Sequence, residues 1–312
     1  MAEKRDLISI FAAGLIFAST MSGCGEVGCD PAYDSWCGEQ SSSSEVSLSS
    51  SGVRPSSSSA QPPSSSSGTA EQSSSSSSSS SSSAPSSNSF SLVGGCPIQS
   101  SQNGSVTCGG QKYKTVVIGT QTWFAENLNY GASRSRCYNN DASNCDIYGR
   151  LYDWATAMGF ESNCNSSICS SQIQSPHRGI CPAGWHIPSN EDWDKLYRYI
   201  DSTSGTSSPC YSHEAGRHLK ATSGWGICGP AGSVDSYLCE DTYGFSALPG
   251  GIGDPDGSFA GGVGNYSTGF WWSASESYSE SAYCRYLYYT ADAAGWCGYD
   301  KPFLFSVRCL KD

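Results

Sequence analysis

Apolar and polar residues follow three regimes along this chain. Lys4 and Arg5 precede a short, mostly apolar run at 7–18. Residues 41–89 have almost no apolar side chains. From residue 90 onward, short periodic segments alternate with glycine-rich turns. Residues 113–118 (YKTVVI) are rich in β-branched side chains and predict a strand; 119–121 turn it and 122–124 return it as a hairpin. Residues 148–158 (YGRLYDWATAM) place Leu151, Trp154, Ala155 and Met158 at helical spacing, so a short helix is expected there. A second helix is expected over 190–200. There Trp193, Leu196, Tyr197 and Ile200 share one face, Ser189 is a natural N-cap, and Asp192 adds negative charge to the first turn. Beyond Asp201 the pattern is one of short strands: 245–251, a turn at Asp256-Gly257, then 269–273, 283–289 and 303–310. In the last of these Phe303, Phe305, Val307 and Cys309 alternate with Leu304, Ser306, Arg308 and Leu310, which predicts one core-facing side. The fold class is α+β, an irregular antiparallel sheet with two short helices.

The composition sets the domain organisation. Serine occupies 30 of the 49 positions from 41 to 89. Such a stretch buries too little to offset its ordering entropy, so it is expected to be a disordered linker. As a random coil of about 50 residues it would span roughly 40 Å. The remainder, residues 90–312, is the size of one domain. That part carries 20 acidic and 14 basic residues, scattered. An acidic domain without a basic patch excludes nucleic acid as a partner.

The chain holds 16 cysteines and no pair of CxxC motifs, which argues against a zinc ribbon and for an oxidising compartment. The N-terminal pattern reads as a signal peptide, residues 1–23, with an apolar run too short for a membrane span. Its ending, Met21-Ser22-Gly23-Cys24, resembles a bacterial lipobox. That resemblance implies cleavage before Cys24, lipid on Cys24 and anchorage in a membrane; Gly25 in place of Asp favours the outer membrane and the cell surface. Residues 24–40 would form the anchor, with Cys29 and Cys37 closing a small disulfide loop.

Seven ordered blocks carry a wider resemblance. They are VIG with QTWFAENL (117–128), YGRLYDWATA, CPAGWHIPSNEDW (181–193), HLKATSGW (218–225), YGFSALPGG (243–251), FWWSAS (270–275) and FSVRC (305–309). In this order they resemble the Fibrobacter succinogenes major paralogous domain family over residues 108–312. The resemblance implies a secreted or surface protein of a fibre-degrading lineage and brings no activity with it. GWHIPSNEDW is also similar to an element of formylglycine-generating-enzyme domains, which implies a C-type-lectin-like fold. The C-terminal cysteine motif of those enzymes has no counterpart here, so their activity does not carry over.

Individual residues add little chemistry. His213, Glu214 and His218 miss the HExxH spacing, because the histidines are five apart. Glu191 and Asp192 point in different directions and suit a helix start better than an acid–base pair. Asp254-Pro255-Asp256-Gly257 lacks the full calcium-loop pattern and reads as a turn. No catalytic residue, metal ligand or cofactor is assigned, and calcium binding is left open. Thirteen cysteines fall in the domain. Connectivity does not follow from sequence; the pairing expected is Cys96–Cys108, Cys137–Cys145, Cys164–Cys169, Cys228–Cys239, Cys284–Cys297 and Cys181–Cys309, with Cys210 left over. Trp154, Trp185, Trp193 and Trp272 are assigned to the core. Trp271, Tyr283, Tyr286 and Tyr288 are the candidates for stacking on a sugar. The expected function is a non-catalytic adhesion module for an extracellular glycan such as plant-wall polysaccharide. The alternatives are an envelope protein with protein partners, or an enzyme of the formylglycine-generating or glycosidase type.

Overall fold

The structure, a computed structural model, describes residues 95–102, 104–202, 211–226, 228, 238–262 and 267–312. The signal peptide, Cys24, the Cys29–Cys37 loop, the serine-rich segment and Cys210 lie outside the described residues.

Twelve strands and four α-helices are found among the described residues. Strands β1 (Ile98–Gln102), β2 (Ser105–Cys108), β3 (Gln111–Ile118) and β4 (Gln121–Phe124) form a meander. Helices α1 (Ala142–Tyr148) and α2 (Trp154–Met158) follow, then β5 (Trp185–His186), α3 (Asn190–Ile200), β6 (Tyr211–Ser212) and α4 (Ala215–Leu219). The rest is β7 (Ile252–Gly253), β8 (Phe259–Ala260), β9 (Thr268–Glu276), β10 (Ser281–Tyr288), β11 (Ala294–Asp300) and β12 (Leu310–Lys311). One sheet has the order β1-β2-β3-β4-β12-β5, a second β6-β11-β10-β9, and a third is the β7-β8 hairpin. Every strand pairing described is antiparallel. The class is therefore α+β and disulfide-rich.

The 113–124 hairpin and the 190–200 helix form where the periodicity placed them. Ser189 and Asp192 close a reciprocal capping box at the start of α3: the Ser189 hydroxyl accepts from Asp192 N–H, and the Asp192 carboxylate accepts from Ser189 N–H. The helix expected over 148–158 is shorter, because Gly149 breaks it. Gly149 sits at φ 77°, and a Cβ there would fall 2.8 Å from Asn127 Cβ. Leu151 and Tyr152 then pair in bridges with Arg136 and Phe305, and Asp153 caps α2 through Thr156 N–H.

Two cores lie on opposite faces of the second sheet. Phe270 and Trp272 on β9 and Cys284 and Tyr286 on β10 face one of them. Trp271 and Leu287, one residue out of phase, face the other with Trp193 and Leu196 of α3. The C-terminal segment runs between these cores. All of Leu304–Leu310 is buried, so it has two buried sides rather than the single one its alternation suggested. Phe305, Val307 and Cys309 enter the first core, Leu310 enters the second, and the Arg308 guanidinium lies 4.3 Å over the Phe245 ring.

Disulfides join Cys96 to Cys108, Cys137 to Cys145, Cys164 to Cys169, Cys181 to Cys309 and Cys228 to Cys239. The expected Cys284–Cys297 bridge is corrected. These residues stand directly opposite on β10 and β11, both buried and not joined by a disulfide, with sulfurs 2.8 Å apart and the Cys284 thiol donating to the Cys297 carbonyl at 3.4 Å. A disulfide would hold the sulfurs near 2.05 Å.

Candidate functional site

An open cleft of about 720 Å³ lies at the N-terminus of α3. Its walls come from the β3–β4 turn, the 173–177 loop, β5, the first turns of α3, Ser275 of β9 and the C-terminal residues. The turn-rich stretch before α3 brings these pieces together. The Cys181–Cys309 disulfide ties that stretch to the end of the chain, and β12 pairs with β5 through Leu310 and His186.

His186 stands at the base between two carboxylates. Its Nδ1 is 2.8 Å from Asp312 Oδ1, and its Nε2 is 3.4 Å from Asp192 Oδ2. Burial pulls its pKa down, but the hydrogen bonds and charges of Asp192 and Asp312 outweigh burial and hold it above its ordinary value. Burial likewise pushes Asp192 up, while hydrogen bonds from His186 and Ser189 carry it below its ordinary value. Gln121 Nε2 donates to the Asp192 carbonyl at 2.9 Å, which fixes the β3–β4 turn to the helix. The second histidine, His177, accepts from Gln174 N–H at Nδ1 and faces the Met158 carbonyl with Nε2 at 2.8 Å. Both imidazoles thus have both nitrogens engaged. The groups turned outward are Thr120, Gln174, Glu191, Lys195, Lys311 and Asp312, all exposed.

This arrangement suits recognition better than proton transfer. A glycosidase acid needs a raised pKa beside a second carboxylate. Here Asp192 is lowered, its partner across His186 is Asp312, and the neighbouring Glu191 is exposed at the helix start. Carboxylate, amide, hydroxyl and ammonium groups of both signs surround the cleft.

The aromatic candidates divide. Trp271 is 1% exposed and donates Nε1–H to Asn127 Oδ1 at 2.8 Å. Tyr286, 4% exposed, packs in the first core. Neither offers a ring face to a ligand, so both are corrected to core residues. Tyr288 is half-buried against Phe270 and Tyr286. Tyr283 is also half-buried, edge-on to Trp296 at 5.4 Å, on the side of the sheet that carries Arg285 and α3. Trp154, Trp185, Trp193 and Trp272 are buried. His213 stacks edge-on against Tyr211, and Asp254-Gly257 forms the β7–β8 turn, with Gly257 N–H donating to the Asp254 carbonyl. Sequence reasoning passed over His186, Lys195 and Asp312. His186 stood inside a recognised block, but its second carboxylate lies 126 residues away and left no local signal.

The fold and the cleft define a disulfide-stapled α+β module with a polar cleft beside a capped helix. A family model described as the Fibrobacter succinogenes major domain matches residues 116–311, and the chain belongs to that family. Comparison with curated proteins and with solved structures gives no match. The likeness to formylglycine-generating-enzyme domains rests on the GWHIPSNEDW block alone.

Proposed function

We propose that this protein is a non-catalytic binding module that is exported, held at the outer membrane by lipid on Cys24, and directed at an extracellular glycan such as plant-wall polysaccharide. The cleft at α3 carries the reading: it is open, lined by hydrogen-bonding groups of both signs, and built around an imidazole locked between two carboxylates. The serine-rich stretch supports it, because a flexible spacer lets an anchored domain reach an insoluble target.

The test is retention of the full chain on insoluble cellulose, xylan and mannan, with and without calcium. Saturable retention that weakens in Lys195→Ala and Glu191→Ala supports the module. No retention on any of them overturns the glycan reading and points to protein partners. Cys24→Ala, followed by membrane fractionation, tests the anchor: the variant should leave the membrane fraction.

A further inference from the structure

The far end of α3 carries a second group of side chains that the cleft does not use. Tyr199, in the last turn, is 56% exposed. Its ring lies over the β3–β4 turn at Gly119, where a Cβ would come within 2.8 Å of it. The Tyr243 ring stands edge-on to Tyr199 at 5.9 Å, and the His218 ring stands edge-on to Tyr243 at 6.2 Å. The row leads into a polar cluster. His218 Nδ1 is 2.8 Å from Glu240 Oε2 and 2.7 Å from Thr242 Oγ1, while Arg217 Nε donates to His218 Nε2 at 3.2 Å. Arg217 also donates to Glu214 Oε2 at 3.2 Å.

The loop that supplies Glu240, Thr242 and Tyr243 is held from several sides. Glu240 N–H donates to the Arg217 carbonyl at 2.8 Å. The Asp241 carboxylate accepts from Ser246 N–H at 2.7 Å and from its hydroxyl at 2.6 Å. The Cys228–Cys239 disulfide closes the segment immediately before it. A preformed site loses little ordering entropy on binding.

We infer that this face is a second saccharide site, in which the Tyr199 ring takes the apolar C–H face of one pyranose and Thr242, Glu240 and Arg217, at the far end of the row, take hydroxyls of the sugar units that follow it. The inference rests on the reading of the protein as a glycan-binding module and adds a place and a ligand class to it. An exposed phenol ring beside donors and acceptors of balanced charge matches an uncharged sugar, which is apolar on its ring face and polar at its rim. A charged ligand would meet Arg217 and Glu240 with opposite effect. Nine residues separate Asn190 from Tyr199, about 14 Å along a helix. A monosaccharide therefore reaches only one site, while a longer chain can engage both and gain avidity.

The experiment is calorimetric titration of the full chain with cellohexaose, xylohexaose and mannohexaose, comparing Tyr199→Ala, Tyr199→Phe, Glu240→Gln and the cleft variant Lys195→Ala. Tyr199→Ala should weaken binding roughly tenfold, as expected for losing one ring contact. Tyr199→Phe should stay near wild type and Glu240→Gln should weaken, with the thermal melt of Tyr199→Ala unchanged. Wild-type affinity in both Tyr199→Ala and Glu240→Gln, with weakening in Lys195→Ala, overturns this second site and leaves the cleft reading standing. Should Glu240→Gln fail to fold, the surface variant Tyr199→Ala decides alone. No heat and no binding by the wild-type chain with any hexasaccharide overturns both.

Discussion

Lys301 Nζ lies 2.6 Å from the Glu276 carboxylate, and both side chains are shut off from solvent. The ammonium also donates to the Ser167 and Ser279 carbonyls and sits 4.7 Å over the Trp154 ring. The carboxylate in turn accepts from Cys169 N–H at 2.8 Å. One ion pair thereby joins the 162–169 turn, the β9–β10 hairpin and the end of β11.

Removing one partner should therefore cost more than removing both. Lys301→Met leaves a buried carboxylate unpaired and is expected to lower stability by about 3–5 kcal/mol. Lys301→Met combined with Glu276→Gln should cost less than the single change. Urea unfolding of the two variants checks the order.

Stability should respond to pH through the Asp312–His186–Asp192 cluster. The folded pKa of His186 lies above its ordinary value of 6.5, so its contribution is full below that value and is lost as pH rises through the higher folded one. The folded pKa of Asp192 lies below its ordinary 3.8, so its contribution is present above 3.8 and is lost as pH falls through the lower folded value. Melting temperatures across pH 3 to 9 should thus fall at both ends, and His186→Gln should flatten the alkaline fall. An unchanged alkaline slope in that variant would count against the cluster.

The Cys181–Cys309 disulfide spans 128 residues and ties the stretch before α3 to the end of the chain. Replacing both cysteines by alanine should cost about 4–5 kcal/mol in the chain-entropy account. Because this tie holds the cleft wall, the variant should also lose ligand binding before it loses its secondary structure. Circular dichroism and the polysaccharide retention assay, followed together in urea, separate the two events.

Arg308 is fully buried, and burial pulls its pKa down to about 9 despite the charges of Glu126 and Asp241. Its guanidinium donates to Asn127 Oδ1 at 2.7 Å, to the Phe124 and Ser246 carbonyls and to the Phe245 carbonyl. Lysine keeps the charge but lacks the planar fork, so Arg308→Lys should lose about 2–4 kcal/mol. Thermal unfolding reads this directly; a loss below about 0.5 kcal/mol would show that the fork is not needed.

Local signals are the legible ones. Ser189 and Asp192 announce the start of α3, since a cap is satisfied within three residues. The strands at 113–124 show in their β-branched composition. The helix expected from residue 148 misleads because Leu151 and Trp154 keep helical spacing while the chain leaves the helix at Gly149 and Tyr152 bridges the distant Phe305. The aromatic candidates Trp271 and Tyr286 mislead for a related reason. A β-strand buried on both faces has no alternation that separates a stacking ring from a core ring.

The α+β class and the family can be read from the chain alone, as can the two features that need only near neighbours: periodicity and caps. That a serine-rich stretch cannot build a core follows from composition alone. The location of the sites depends on the folded arrangement. His186 meets Asp312 across 126 residues, and Tyr199 meets Tyr243 where the end of one helix packs on a loop. The first pair forms because β12 pairs with β5, the second because α3 and the 243 loop pack on the same core, and no short-range pattern records either.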